Sequence, residues 1–122
     1  MRDIEIEDIQ AEDLIEIEKL QEEFKKYMIN VLGYFEDEAD YIISEDFKDP
    51  YETPYISQDF IGYTTVDEVE YEVRKCQTDF RACGLFHLAE KEPFEFYMLI
   101  DTSTLPDSIV FCYMGARKVY VI

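Results

Sequence analysis

Apolar and polar residues alternate at the start of the chain. Ile4 and Ile6 stand against Glu5 and Glu7, a period of two that predicts a first strand with one buried face. Asp8, or the pair Glu12-Asp13, then offers acceptors for a helix start. From Leu14 the period changes. Apolar residues fall at 14, 15, 17, 20, 24, 27, 28, 31 and 32, helical spacing throughout, and Gly33 supplies the stop. This stripe predicts one buried helix face carrying Leu14, Ile17, Leu20, Phe24, Met28 and Val31.

Residues 34–54 are acidic and aromatic, with Pro50 and Pro54 near their end, and are expected to be mostly loop, with room for a short helix around 38–44. Residues 55–57, 60–66 and 69–76 read as strands divided by turns at Gln58-Asp59 and Asp67-Glu68. In the last of them Val69, Tyr71 and Val73 alternate with Glu70, Glu72 and Arg74, which gives it one apolar and one charged face. Gly84 opens a short helical segment over 85–92, ended by Pro93. Residues 94–100 are apolar except for Glu95, as in a strand at the interior of a sheet. After a turn at Asp101-Thr102-Ser103-Thr104, Pro106 and Gly115 suit the first position and the C-terminal cap of another helix. Residues 118–122 read as a closing strand. The predicted order is β-α-(α)-β-β-β-α-β-α-β, an α/β (α+β) arrangement in a single domain spanning 1–122.

Composition adds bounds to this pattern. A chain of 122 residues is the size of one domain, and 48% hydrophobic residues supply its core. No apolar run reaches the ~20 residues of a membrane-spanning helix. The opening Met1-Arg2-Asp3-Ile4-Glu5 is too acidic for a secretory leader, so the expected compartment is the cytoplasm. Cys76, Cys83 and Cys112 include no CxxC pair, and His87 is the one histidine, which leaves no set of the usual kind for zinc. They read as reduced, mostly buried thiols. A catalytic Cys–His pair would have to be Cys83 with His87.

The net charge is −18, and its distribution matters more than its size. Residues 1–72 hold 23 acids and 5 bases, whereas residues 73–122 hold 6 of each. Such a field disfavours nucleic acid and anionic membranes. It favours a cationic small molecule, a Lys-rich peptide or a basic protein, and serves equally as a solubilising surface.

The opening from Ile4 to Leu20, with Glu12-Asp13-Leu14-Ile15-Glu16-Ile17, and the segment Phe60-Ile61-Gly62-Tyr63 resemble, in order, the first strand and helix and the "iiGy" strand of the GNAT N-acetyltransferase superfamily. Arg81-Ala82-Cys83-Gly84-Leu85-Phe86 stands where the family has R/Q-x-x-G-x-G/A. Leu99-Ile100-Asp101-Thr102-Ser103, then Ile109-Val110-Phe111-Cys112-Tyr113-Met114-Gly115-Ala116, is similar to "L-x-T-S … A-x-x-F-Y-x-x-L-G-F". The resemblance implies a central mixed, mostly antiparallel sheet flanked by helices, and acetyl-CoA as the coenzyme.

The coenzyme's pyrophosphate would meet the free N–H groups of a helix N-terminus through a loop of small residues. The implied binding residues are Val73, Arg74, Arg81, Ala82, Cys83, Gly84, Leu85 and Phe86. Phe86 departs from the pattern with a large ring, which blocks the phosphates if it points at them and is core if it turns inward. Glu70 and Glu72 would be candidates for the base that takes the acceptor amine's proton. The family's tyrosine that meets the departing thiolate falls at Cys112 or Phe111 by different counts, with Tyr113 beside both. The expected activity is an acyl-CoA-dependent N-acetyltransferase (an acyltransferase) acting on a cationic amine, a polyamine or Lys-rich acceptor. The rival expectation is a non-catalytic acidic binding protein or inhibitor on the same scaffold, engaging a basic protein partner.

Overall fold

The computed structural model describes residues 6–82, 84–103 and 109–113. Short 3-10 turns at Ile6–Asp8 and Ala11–Asp13 lead into strand β1, Leu14–Ile15. Helices α1, Ile17–Asn30, and α2, Glu36–Glu45, follow. Strands β2, Ile56–Val66, and β3, Val69–Thr78, come next. A 3-10 turn, Phe86–Leu88, separates β3 from β4, Glu95–Asp101, and β5 is Ile109–Tyr113. The fold is mixed α+β, with an antiparallel sheet of order β1-β5-β4-β3-β2.

The chain groups into two compact units. One comprises Met1–Ile17, Gln58–Cys76 and Glu95–Ile122; the other comprises Glu18–Ser57 and Gln77–Phe94. In the first, β4 and β5 run antiparallel with Phe96 opposite Tyr113, and Leu14 of β1 lies opposite Cys112. Thr102 N–H bonds to the Glu70 carbonyl at 3.1 Å, which sets β4 beside β3. One face of these strands gathers Ile9, Val66, Val73, Tyr97, Leu99 and Cys112 into a core. All five residues from Phe96 to Ile100 are buried, so β4 is covered on both faces, as its unbroken apolar run implied.

The β2–β3 connection is two residues long, with φ of +49° at Asp67 and +69° at Glu68. Two consecutive left-handed residues make the turn type whose twist matches a hairpin. The predicted turn at Asp67-Glu68 is therefore present. The one at Gln58-Asp59 is not, because β2 runs unbroken through both residues. Among the described residues the first strand is β1, and Ile6–Asp8, expected in a strand, is a 3-10 turn. Ile6 and Ile9, three residues apart, stack toward the core from a 3-10 turn, and Thr64 Oγ1 donates to the Ile6 carbonyl at 2.9 Å. Ile4 lies outside the described residues.

In the second unit α1 buries Leu20, Phe24, Tyr27 and Met28. Ile17 and Val31, also expected inside, are half-buried, and Leu14 is half-buried in β1 rather than in the helix. Phe24 stacks on Phe47 with ring centroids 3.9 Å apart and meets Phe94 edge-on at 5.2 Å. Tyr27 packs on Phe94 and donates its hydroxyl to the Glu92 carbonyl at 2.7 Å. Gly33, at φ +80°, turns the chain so that Tyr34 N–H reaches the Met28 carbonyl.

Helix α2 stands where mostly loop was expected. Its first turn holds Glu36, Asp37 and Glu38, favourably placed against the helix dipole, and Glu38 accepts the Phe35 N–H at 3.0 Å. Lys25 of α1 bridges to Glu36 and Asp40 of α2 at 3.3 and 2.8 Å.

Two predicted helices are absent as such. Over 85–92 the chain makes only the three-residue 3-10 turn, with Leu88, Ala89 and Lys91 each bonding back three residues. A nucleus that short, closed by Pro93, cannot propagate. Ile109–Tyr113 is a strand, because its β-branched and aromatic residues find partners on β4 and β1. The remainder of the helix expected over 106–115, and the strand expected over 118–122, lie outside the described residues. Among the described residues no helix is long and apolar enough to cross a membrane.

Candidate interaction site

The loop expected to hold a pyrophosphate is closed on itself. Asp79 Oδ1 accepts the Ala82 N–H at 3.2 Å, Gly84 N–H bonds to the Arg81 carbonyl, and Leu85 N–H bonds to the Phe80 carbonyl at 2.9 Å. A carboxylate thus occupies one amide that an anion would need, and two neighbouring amides are satisfied within the loop. Arg81, Ala82, Gly84, Leu85 and Phe86 are exposed, and Cys83 lies outside the described residues. Phe86 is 66% exposed, so its ring is not core. His87 is exposed as well.

Val73 and Arg74 belong to the other unit. Val73 is fully buried in the sheet core, and Arg74 is engaged with Glu72 at 3.0 Å and with the Gln58 side chain at 3.0 Å. Glu70 is exposed and accepts the Thr102 hydroxyl at 3.3 Å. Tyr113 lies opposite Phe96. The bonds joining Thr102 to Glu70 and Thr78 to Phe94 set Phe96 in turn opposite Cys76. Cys76 is four residues along β3 from Glu72, about 13 Å at the rise of a strand. The sheet therefore does not bring Tyr113 together with Glu70 and Glu72.

Cys76 and Cys112 are buried, and burial pushes the Cys76 thiol up to about 12, with the Arg74 charge acting in the other direction. Ser103 holds the Asp101 carboxyl below the usual range by donating its hydroxyl at 2.7 Å and its N–H at 2.9 Å, an arrangement that shapes the turn after β4. Among the described residues no group of three His, Cys, Asp or Glu side chains is placed to hold a metal ion.

The sheet's other end is built differently. β2 is an end strand of the sheet, eleven residues long, and carries Phe60, Ile61 and Tyr63 at 57, 40 and 57% exposure. Among the described residues of their unit they are the exposed large hydrophobics. A regular strand would send Phe60 and Tyr63 to opposite faces. Gly62 lies between them at φ +148°, and the two rings meet edge-on with centroids 5.5 Å apart.

Edge strands are usually protected by lysine, proline or short length. β2 has neither residue type, and its one charge is Asp59. Asp67, Glu68 and Glu70 are exposed around the adjoining hairpin. In the sequence Phe60, Ile61 and Tyr63 fall in a predicted strand and in the segment that resembles the "iiGy" signature. No local signal marks them as exposed, since adjacent apolar residues such as Phe60 and Ile61 fit a strand covered on both faces equally well.

The fold is mixed α+β, and among the described residues β2 stands at one end of its antiparallel sheet. The chain matches no known protein family, no curated protein and no solved structure.

Proposed function

We propose that this chain is an acidic binding protein that takes an extended, basic segment of a protein partner along the outer edge of β2. The carrying observation is the long edge strand with Phe60, Ile61 and Tyr63 exposed and no lysine or proline to protect it. An added strand would take its affinity from backbone hydrogen bonds and its selectivity from alternate side chains lying on these rings. Charge supports the sign of the partner. The unit that contains this edge holds 15 acids and 5 bases, and one of those bases, Arg74, is already engaged with Glu72. The same charge disfavours a second copy as the occupant, since two chains of −18 repel.

The test is a titration of the alternating peptide (Val-Lys)5-Val followed by amide chemical shifts. Perturbations confined to β2 and the adjoining hairpin, weakening as salt rises, are the expected result. The double variant Phe60→Ser/Tyr63→Ser should bind at least about tenfold more weakly. Shifts spread evenly over the acidic surface, or unaltered binding by that variant, would overturn the reading. The N-acetyltransferase expectation has its own readout. Acetyl-CoA at 100 times its Kd would stabilise the fold by ~2.7 kcal/mol. With the Ala82, Gly84 and Leu85 amides satisfied within the loop, no rise in Tm at millimolar coenzyme is expected.

A further inference from the structure

The geometry points to a second, separate recognition site: a small apolar cavity in the helical unit that takes a leucine-sized side chain next to a lysine or arginine in a protein partner. The cavity has a volume of about 110 Å³. Its lining includes Phe24 and Met28 of α1, Leu32 just beyond that helix, Ile42 of α2 with its C-terminal neighbour Asp46, and Phe80, Leu85 and Leu88. All of these belong to one compact unit. Phe24, Met28, Phe80 and Leu88 are buried, whereas Leu85 and Asp46 are exposed, so the site has an apolar floor and an open rim.

Its size sets the guest. A cavity of ~150 Å³ takes a benzene ring, so one somewhat smaller suits the four carbons of a leucine side chain. Its charge sets the guest's neighbour. Among the described residues Asp46 is the one acidic residue in the lining, and no lysine or arginine pairs with its carboxylate. The unit holds 14 acids and 6 bases, and Lys19, Lys25 and Lys26 are already bridged to carboxylates. A polymeric partner is favoured over a free amine by what continues past the rim. Leu85 passes directly into the exposed ring of Phe86, apolar surface that a ligand filling the cavity alone would leave wet.

This inference shares with the proposed function the idea of a basic partner, but uses different residues, and its probe is too short to add a strand. N-acetyl-Leu-Lys-amide is titrated into the whole protein labelled at methyl groups. The expected result is saturable shifts at Met28, Leu32, Ile42 and Leu88, with a Kd in roughly the millimolar range. N-acetyl-Ala-Lys-amide should bind at least about tenfold more weakly, through lost apolar burial. N-acetyl-Leu-Glu-amide should bind more weakly than the lysine probe, and Asp46→Asn should remove that preference. Asp46 is exposed at the end of α2, so this variant is expected to fold. Ile42→Phe, which fills the cavity from its rim, should abolish the methyl shifts while leaving (Val-Lys)5-Val binding at β2 intact. The inference is overturned if the leucine and alanine probes bind alike, or if Asp46→Asn leaves the charge preference unchanged. It is also overturned if free 3-methylbutylamine binds as tightly as the dipeptide, which would make the cavity a site for small amines instead.

Discussion

At the scale of single residues, backbone conformation and burial decide what each position tolerates. A Cβ at Gly62 would stand 2.9 Å from Ile6 Cδ1, and the residue's φ of +148° is one that side-chain-bearing residues rarely adopt. The Ile6 methyl is the end of a flexible chain and can yield; the dihedral cannot. Gly62→Ala is therefore expected to destabilise by about 1–3 kcal/mol in urea titrations, with little recovery in the Ile6→Val background. Glu68 has the opposite imbalance, a side chain at φ +69° in a turn that prefers glycine. Glu68→Gly should raise stability by about 0.5–1 kcal/mol in the same assay. Cys76 gives a pH signature. Below the unfolded thiol's pKa of about 9, both states hold the proton. Between there and about 12 the unfolded chain releases it while the buried thiol does not, so stability falls as pH rises. Urea midpoints measured from pH 8 to 11 should decline, and less steeply in Cys76→Ala. Burial also raises Tyr27 and Tyr71, whose contributions to the decline lie above pH 10 and persist in that variant.

Whole elements show where pattern was sufficient and where it was not. The α1 stripe was legible because an amphipathic helix needs only its own spacing to declare a buried face. Phe24, stacked on Phe47 and edged by Phe94, is its energetic centre. Phe24→Ala should cost about 3–5 kcal/mol. Phe86→Ala, on an exposed 3-10 turn, should change stability by less than about 0.5 kcal/mol. Comparable losses at the two positions would contradict the burial described for Phe86. β5 was missed because Ile109–Tyr113 is a short apolar run between helix-like punctuation, a pattern that fits strand and buried helix equally. Pairing with Phe96–Ile100 on one side and Leu14–Ile15 on the other made the choice, and no local signal contains either partner.

For the molecule as a whole, charge and edge geometry meet. A chain of −18 holds an attraction for basic partners that weakens with salt, whichever of its surfaces is engaged. The sequence by itself determined that sign, the supply of core residues, the α1 stripe, the apolar run of β4 and the hairpin at Asp67-Glu68. All of these are fixed by composition or by spacing within a few residues. Tertiary structure decided the rest. It made β2 an end strand, so that Phe60, Ile61 and Tyr63 are exposed rather than core. It closed the Ala82, Gly84 and Leu85 amides on their own loop, where glycine and arginine spacing had suggested an anion site. It also assembled one cavity from two helices and three later segments. The physical reason is common to all three. Exposure, hydrogen-bond satisfaction and cavity shape depend on which distant segments arrive beside a residue, and a local pattern carries no record of that.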